Sequence, residues 1–570
     1  MKIFINDIER EFEGEMTILE AAKKSHINIP TLCYNEKLAP YGSCRICSVE
    51  VENVKTLMPA CVTKIKEGMK IYTHSKKVRN IRKVIMELII ASHDINCTLN
   101  CLNCSRSDSC EIRKVAQEIG IQEMRIPPIR KKEAVDLSSF SIVREPAKCI
   151  VCNRCVRKCK EVQEVNVLTI SGRGPDTKVT TFMNKGMGNV DCTNCGQCIL
   201  ECPSGALHEV YSIDNVWKEI EDKDKFVVVQ TAPAVRVSIS EEFNRKPGEI
   251  KVGQLVQGLK LIGFDKVFDT NFTADLTIME EGTEFIKRFK NNENIPLFTS
   301  CSPGWIKFLE HNYPEFIDNL STCKSPQQMF GAVVKSYYAE KINMDPSKIV
   351  VVSVMPCTAK KFEAKRKEMY GDVDYVLTTR ELAKMFKQAG IKLDQVPEEE
   401  YDNPLGESSG AAVIFGASGG VMEAALRTAY EVITGHELEE INFHEVRGIK
   451  GIKESTVNIA GHDINVAVVS GLKNARTVLE SIKSGEKKYH FVEFMACPGG
   501  CIGGGGQPIP TTDEILIERM AAIYDLDSNS KIRKSHENPY VKKLYKEYLG
   551  EPLGEKSHEL LHTEYVVRNK

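Results

Sequence analysis

Cysteine placement constrains this chain more than any other feature of its sequence. Of 21 cysteines in 570 residues, sixteen lie before residue 203 and five after it. Most of the sixteen stand in tight CxxC groupings, which suit metal binding. Disulfides are a poor reading for a large chain without an export signal. The N-terminus meets Asn6 and Asp7 before an apolar signal core can form, so a cytoplasmic location is expected. No apolar run nears the roughly 18 residues a membrane span needs. Even Val84–Ala91 contains Glu87. Lys plus Arg number 76 and Asp plus Glu 78, a balance that argues against nucleic-acid binding by bulk positive charge. Neither membrane nor nucleic acid is an expected partner.

The cysteines divide the first third into modules. Residues 1–76 read as β-rich, with a strand at Lys2–Ile5, a helix capped by Thr17 and alternation over Ser48–Glu52. Cys33, Cys44, Cys47 and Cys61 offer four thiolates that suit a [2Fe–2S] cluster. The ten-residue spacer after Cys33 is long for a zinc knuckle. Residues 77–140 carry helical spacing over 78–92 and 111–122, then a linker over 126–139. Between the helices, His93, Cys97, Cys101, Cys104 and Cys110 offer five candidates for four positions. Residues 141–212 hold two Cys-rich halves repeating after about 43 residues: Cys149, Cys152, Cys155 and Cys159, then Cys192, Cys195, Cys198 and Cys202 before Pro203. Such runs belong to two-cluster bacterial ferredoxins, whose fourth cysteine ligates the other cluster. On that pattern Cys149, Cys152, Cys155 and Cys202 hold one [4Fe–4S], and Cys192, Cys195, Cys198 and Cys159 the other.

From 213 to 570 the pattern becomes an α/β body. Val227–Val229, Ile349–Val352 and Ala467–Val469 are apolar runs suited to buried strands, with helical segments between them. Gly416–Gly420 reads as a tight turn before a helix over Met422–Tyr430. Three motifs place cysteine beside Gly or Pro: Thr299-Ser300-Cys301-Ser302-Pro303-Gly304-Trp305, Met355-Pro356-Cys357 with Lys360 following, and Met495-Ala496-Cys497-Pro498-Gly499-Gly500-Cys501. Together they suggest thiolates converging on one further metal centre, with glycines admitting backbone close to a bulky cofactor. Cys323 has no such setting and reads as packing.

These three motifs closely resemble the signature of [FeFe]-hydrogenases, and the resemblance runs over essentially the whole chain, in the clostridial arrangement with four accessory clusters. It implies an α/β catalytic body with N-terminal α+β iron–sulfur modules, β-grasp ferredoxin-like and two-cluster ferredoxin-like. The activity implied is reversible reduction of protons to H2 at an H-cluster, a [4Fe–4S] joined to a two-iron unit with CO, cyanide and a dithiolate amine. The accessory clusters would be one [2Fe–2S] and three [4Fe–4S]. One of these would use Cys101, Cys104 and Cys110, with His93 or Cys97 as fourth ligand. By motif, Cys357, Cys497 and Cys501 would ligate the H-cluster, and Lys360 would donate to a cyanide. Ala232, Pro233, Gln327, Met355 and Met495 would line its pocket. Protons would pass through Cys301, Glu281, Ser321, Glu284 and Arg288. The family usually has two adjacent cysteines where this chain has Cys301-Ser302, so ligand and relay roles stay open here. The implied class is a ferredoxin-type hydrogenase, with ferredoxin or flavodoxin as redox partner and maturation proteins as assembly partners. The alternatives are an H2-sensing or bifurcating subunit of the same superfamily, or an electron-transfer subunit of a complex I-like assembly.

Overall fold

The structure is a computed structural model that describes residues 1–93, 104–127, 134–369, 371–438 and 440–568. Two units are distinguished: Met1–Val190 with Gln197–His208, and Asp191–Gly196 with Glu209–Lys570.

In the first unit, β-branched and alternating residues near the N-terminus form a five-stranded sheet. Its order is Ile8–Glu11, Lys2–Ile5, Lys70–Tyr72, Ser48–Val51 and Met58–Pro59. Lys2–Ile5 and Lys70–Tyr72 run parallel, pairing Ile5 with Ile71, and the other pairings are antiparallel. Helix Ile18–Lys24 starts at a reciprocal cap. Glu20 N–H donates to Thr17 Oγ1 at 3.2 Å, and Thr17 N–H donates to the Glu20 carboxylate at 2.7 Å. Ile3, Ile5, Ile18, Ala21, Ala22, Val49 and Ile71 form the core beneath it. Helix Lys76–Ala91 is capped by Ser75, and its Arg82 donates twice to Ser48 O. Arg154–Arg157 and Gln197–Glu201 are short helices in the two Cys-rich halves, offset by the repeat that the cysteines mark.

The second unit is built on two four-stranded sheets. In one, Lys266–Asp269, Phe226–Thr231, Ile349–Met355 and Tyr375–Thr378 stand in that order, all parallel. In the other the order is Leu297–Phe298, Phe491–Met495, His462–Ser470 and Ile452–Ile459, with only the last pairing antiparallel. The Val/Ile runs sit mid-strand and are buried on both faces, as parallel sheets covered by helices require. Each sheet has its own apolar cluster.

Strand direction decides where chemistry can occur. In parallel sheets the crevice for ligands lies beyond the carboxyl ends of the strands. Thr231, Phe298, Met355 and Met495 are four such ends, and Ala232, Cys301, Cys357 and Cys497 follow within three residues of them. The 22-residue helix Thr270–Asn291 leaves the same edge from Asp269, whose carboxylate accepts from Asn271 N–H at 2.9 Å. Most of it is buried, including Glu280, Glu281 and Glu284.

A fully buried Arg427 ties helix Gly420–Thr434 to helix Asp513–Ser528. It donates to both Asp527 oxygens at 2.9 and 2.8 Å and to Glu423 at 2.7 Å. Arg427→Ala leaves those carboxylates short of a counter-charge and is expected to cost about 3–5 kcal/mol. A lowered thermal melting midpoint reads this out, and an unchanged midpoint would contradict it.

Candidate active site

The accessory cysteines of the first unit cluster locally. Cys44 N–H points at Cys33 Sγ at 3.5 Å, and Cys47 Sγ lies 3.4 Å from Cys61 Sγ. His93 is buried just after helix Lys76–Ala91, Cys104 is buried, and Cys110 begins helix Glu111–Ile119. Cys97 and Cys101 fall outside the described residues. Cys149, Cys152, Cys155 and Cys202 line one cavity, walled by Pro146, Ile150, Val179 and Leu207. Cys159 and Cys198 belong to the first unit, Cys192 and Cys195 to the second.

The second unit has a larger cavity at the strand ends. Cys301, Cys357, Cys497 and Cys501 line it, with Ala232, Pro233, Gln327, Met355, Lys360, Met495 and Ser302. The rest of the wall is largely apolar, including Ala274, Pro303, Pro356 and Phe415. All the pocket-lining residues expected from the sequence therefore meet at one place.

Local backbone explains how the sulfurs reach it. Cys357 sits before the short helix Ala359–Glu363. Burial pushes its thiol up, while the Lys360 charge and the Lys360 and Ala359 N–H groups draw it back. Cys497 to Gly506 winds through tight turns: Gly500 N–H donates to Cys497 O, and Gly504 N–H to Cys501 O, both at 3.0 Å. Gly500 has φ +87°, a left-handed conformation that glycine tolerates. A Cβ on Gly504 would lie 2.2 Å from Pro356 O, so only glycine lets this turn lie against the Cys357 turn. Gly506 N–H seals the contact at 2.8 Å from the same oxygen. Burial, followed by the Cys357 charge, raises the Cys501 thiol to about 12.

Lys360 provides the cavity's positive charge. Its Nζ donates to Glu363 at 2.9 and 3.1 Å and to Cys301 O at 3.1 Å. Glu363 also takes Ser325 Oγ and Gln327 Nε2, each at 2.9 Å. Sequence reading missed Glu363, although its i+3 spacing from Lys360 on a helix was a usable signal. Gln327 Oε1 is buried with no hydrogen-bond partner among the described residues.

The acidic route leads away from Cys301. Burial raises the Cys301 thiol well above its ordinary value, and the facing Glu281 carboxyl raises it further. Both Glu281 oxygens are buried and lack a partner at hydrogen-bond distance among the described residues. Burial, then the Glu284 charge, pushes its carboxyl up to about 8, against weaker pulls from Ser321 and Ser300 N–H. Ser321 Oγ donates to Glu284 at 2.7 Å, and Arg288 donates to Glu284 at 2.6 Å while also holding Asp318 O and Leu320 O. Cys323, expected to be mere packing, lies with Sγ 3.9 Å from the Glu284 carboxylate. Ser302 Oγ accepts Ala496 N–H at 3.2 Å.

Comparison with known proteins bears directly on this site. Residues 225–505 match the family model "Iron only hydrogenase large subunit, C-terminal domain", and 513–568 match "Iron hydrogenase small subunit". Upstream, 1–76 match a 2Fe-2S iron–sulfur cluster binding domain, 82–125 an iron–sulfur binding region of NADH-ubiquinone oxidoreductase-G, and 140–208 a ferredoxin-like domain of NADH-quinone oxidoreductase subunit 3. Iron hydrogenase 1 of Clostridium pasteurianum is 41% identical, covering 99% of both chains. The chain belongs to the iron-only hydrogenase family. NADP-reducing hydrogenase subunit HndD of Solidesulfovibrio fructosivorans is 46% identical, covering 97% of both chains. A solved variant of [FeFe]-hydrogenase HydA1 from Chlamydomonas reinhardtii aligns with TM-score 0.57 and 46% identity, over 63% of this chain and 99% of that one.

This iron-only hydrogenase thus catalyses dihydrogen chemistry and carries [2Fe–2S] and [4Fe–4S] domains ahead of the catalytic body. The family's H-cluster fits the cavity on three observations. Its apolar wall suits a bulky group, its cysteines are soft sulfur donors, and the Lys360 ammonium and the unpartnered Gln327 amide oxygen lie in the same wall. Among the described residues no helix is long and apolar enough to cross a membrane.

The buried Glu281 gives a pH prediction independent of turnover. Its carboxyl stands at about 8 in the fold against an ordinary 4.5, so folding takes up a proton between those values. The stability it contributes is complete below about pH 4.5 and is lost as pH rises through about 8, a change of about 5 kcal/mol. Glu281→Gln is expected to flatten the fall in melting midpoint between about pH 4.5 and pH 8. Identical pH slopes for the two proteins would contradict the burial.

Proposed function

We propose that this hydrogenase works with a soluble ferredoxin or flavodoxin in the cytoplasm, as a ferredoxin-type enzyme loaded by maturation proteins. Electrons enter at the β-grasp [2Fe–2S] module, 1–76, or at the His/Cys-ligated [4Fe–4S] module, 77–140. They pass through the two-cluster ferredoxin-like module, 141–212, to the H-cluster domain, 213–570. Cys33, Cys44, Cys47 and Cys61 hold the first cluster, and His93 or Cys97 with Cys101, Cys104 and Cys110 the second. The crossed sets of the ferredoxin repeat hold the remaining two. The shared cavity of Cys149, Cys152, Cys155 and Cys202 supports one crossed set.

At the cavity, Cys357, Cys497 and Cys501 hold the cubane of the H-cluster. Cys301 is the proton relay and Ser302 takes the fourth ligand position. Two observations support this split: Cys301 faces Glu281, while Ser302 Oγ is turned to Ala496 N–H beside Cys497. When bound, the two-iron unit supplies the metal centre at which protons and electrons combine. The protein's part is binding and proton traffic. Lys360, held by Glu363, would donate a charge-assisted hydrogen bond to a cyanide of the bound group. Gln327, Ala232, Pro233, Met355 and Met495 shape the wall and exclude water. Glu281, protonated at neutral pH because burial and the Glu284 charge outweigh the pulls from Ser321 and Ser300 N–H, exchanges a proton with Cys301. Ser321, Glu284 and Arg288 continue the route outward. The convergence of strand-end cysteines beside an unpaired buried glutamate carries this reading.

The similarity to HndD favours a second reading, a subunit of an NADP-linked assembly. At the Gly-rich turn of this chain the Glu493 carboxylate already accepts Gly419 N–H at 2.7 Å and Met422 N–H at 2.8 Å, so these N–H groups are not free to hold a nucleotide phosphate. A nicotinamide nucleotide would need another subunit.

Infrared spectroscopy of the matured protein is expected to show CO and cyanide stretches. Cys301→Ala should keep those bands while turnover falls by about 10²-fold or more. Full turnover in that variant, or a matured protein without the bands, would overturn the assignment.

A further inference from the structure

The hydrogen bonds around Glu284 do not end at Ser321 and Arg288. Thr322 N–H lies 3.3 and 3.2 Å from the two Glu284 oxygens, and its hydroxyl 3.4 Å from Oε1. The same hydroxyl is 2.8 Å from His562 Nδ1, and His562 Nε2 is 3.1 Å from Glu280 Oε2. Glu280 is fully buried and also accepts Tyr545 OH at 2.5 Å, Leu553 N–H at 2.8 Å and the Ser557 hydroxyl. Burial works against its charge, but these four donors together hold its carboxyl below the ordinary value. Two backbone bonds fix His562 in place: Lys324 N–H to Leu561 O at 2.7 Å and Thr563 N–H to Thr322 O at 2.8 Å. A continuous line of titratable and hydroxyl groups therefore runs from Glu284 through Thr322 and His562 to Glu280.

The groups facing His562 are few. Glu280 faces it from helix Thr270–Asn291. Glu284, paired with Arg288, stands across Thr322. Cys323 pairs with it in a single β-bridge, and Tyr545 approaches through Glu280. Burial raises the Cys323 thiol and the Tyr545 phenol well above their ordinary values, so neither carries charge at neutral pH. The exposed His558 ring stacks on His562 at 4.8 Å between centroids. Every contributor from Tyr545 to His562 lies in the segment matching the small-subunit family model.

We propose that His562 is a proton store on a side branch of the acidic route, holding one proton against Glu280 and passing it to Glu284 through Thr322. The inference rests on the reading of Glu284 as a member of that route. With His562 protonated, Nε2–H donates to Glu280 and Nδ1–H to Thr322 Oγ1, which frees the Thr322 proton to point at Glu284. Transfer moves the Nδ1 proton onto the Thr322 oxygen as the Thr322 proton passes to Glu284. His562 is left neutral with its Nε2–H on Glu280, and the reverse step refills it. No electron moves and total charge is conserved. Forming dihydrogen consumes two protons, and the store supplies one from within while the surface route supplies the other.

The test uses the full-length matured enzyme. His562→Gln keeps a hydrogen-bonding side chain that cannot hold a proton, Thr322→Val cuts the link, and Thr322→Ser restores the hydroxyl. Turnover is measured across pH beside melting midpoint and infrared bands. His562→Gln and Thr322→Val are expected to match wild type near pH 6 and to fall about threefold to tenfold below it above about pH 8, where outside protons are scarce. Thr322→Ser should follow wild type. A wild-type pH profile in folded His562→Gln overturns the store, as does a Thr322→Ser profile like that of Thr322→Val, which would mean packing. If His562→Gln does not fold, the Thr322 pair decides alone. Unchanged turnover in Cys301→Ala and Glu281→Gln would instead sink the underlying route.

Discussion

Strand polarity is the constraint on which the catalytic body depends. A parallel strand can present only one kind of end to a given edge, and two sheets here present carboxyl ends to the same cavity. Cys301, Cys357 and the Cys497/Cys501 pair, far apart in sequence, meet because each follows such an end by a short turn. The donors inherit the rigidity of buried Val- and Ile-rich strands. A site mounted on long loops would hold a bulky inorganic group less accurately.

Charge in this interior is arranged in two ways. Lys360 and Glu363 form a neutralised pair with further donors around the carboxylate, the arrangement in which a buried ion pair is tolerable. Glu281 has no such neighbours and resolves its burial by keeping its proton. One glutamate is held charged and the other keeps its proton, and their surroundings set the difference.

Much of this could be read from residues. CxxC spacing marked the accessory groups, and strand-forming runs marked both sheets. Cysteines beside Gly and Pro marked the cavity, because turns at strand ends need those residues. Less visible were partners distant in the chain. Thr322 and His562 are 240 residues apart, and no local pattern announces that the tail pairs with residues 322–324. Glu280 and Glu281 are adjacent and identical in type, yet one meets four donors and the other none at bonding distance. Only tertiary packing separates them. Cys323 looked inert because its neighbours in sequence are ordinary. Its neighbour in space is Glu284.

The seam between the Cys357 and Cys501 turns has no thickness to spare. With carbonyl oxygen where a methyl would stand, at 2.2 Å on Gly504, even alanine would wedge the two strands' tips apart. The sulfurs would then spread while every strand stayed folded. Such a chain would keep its shape yet lose its grip on iron, so this seam should tolerate variation far less than the apolar wall around it.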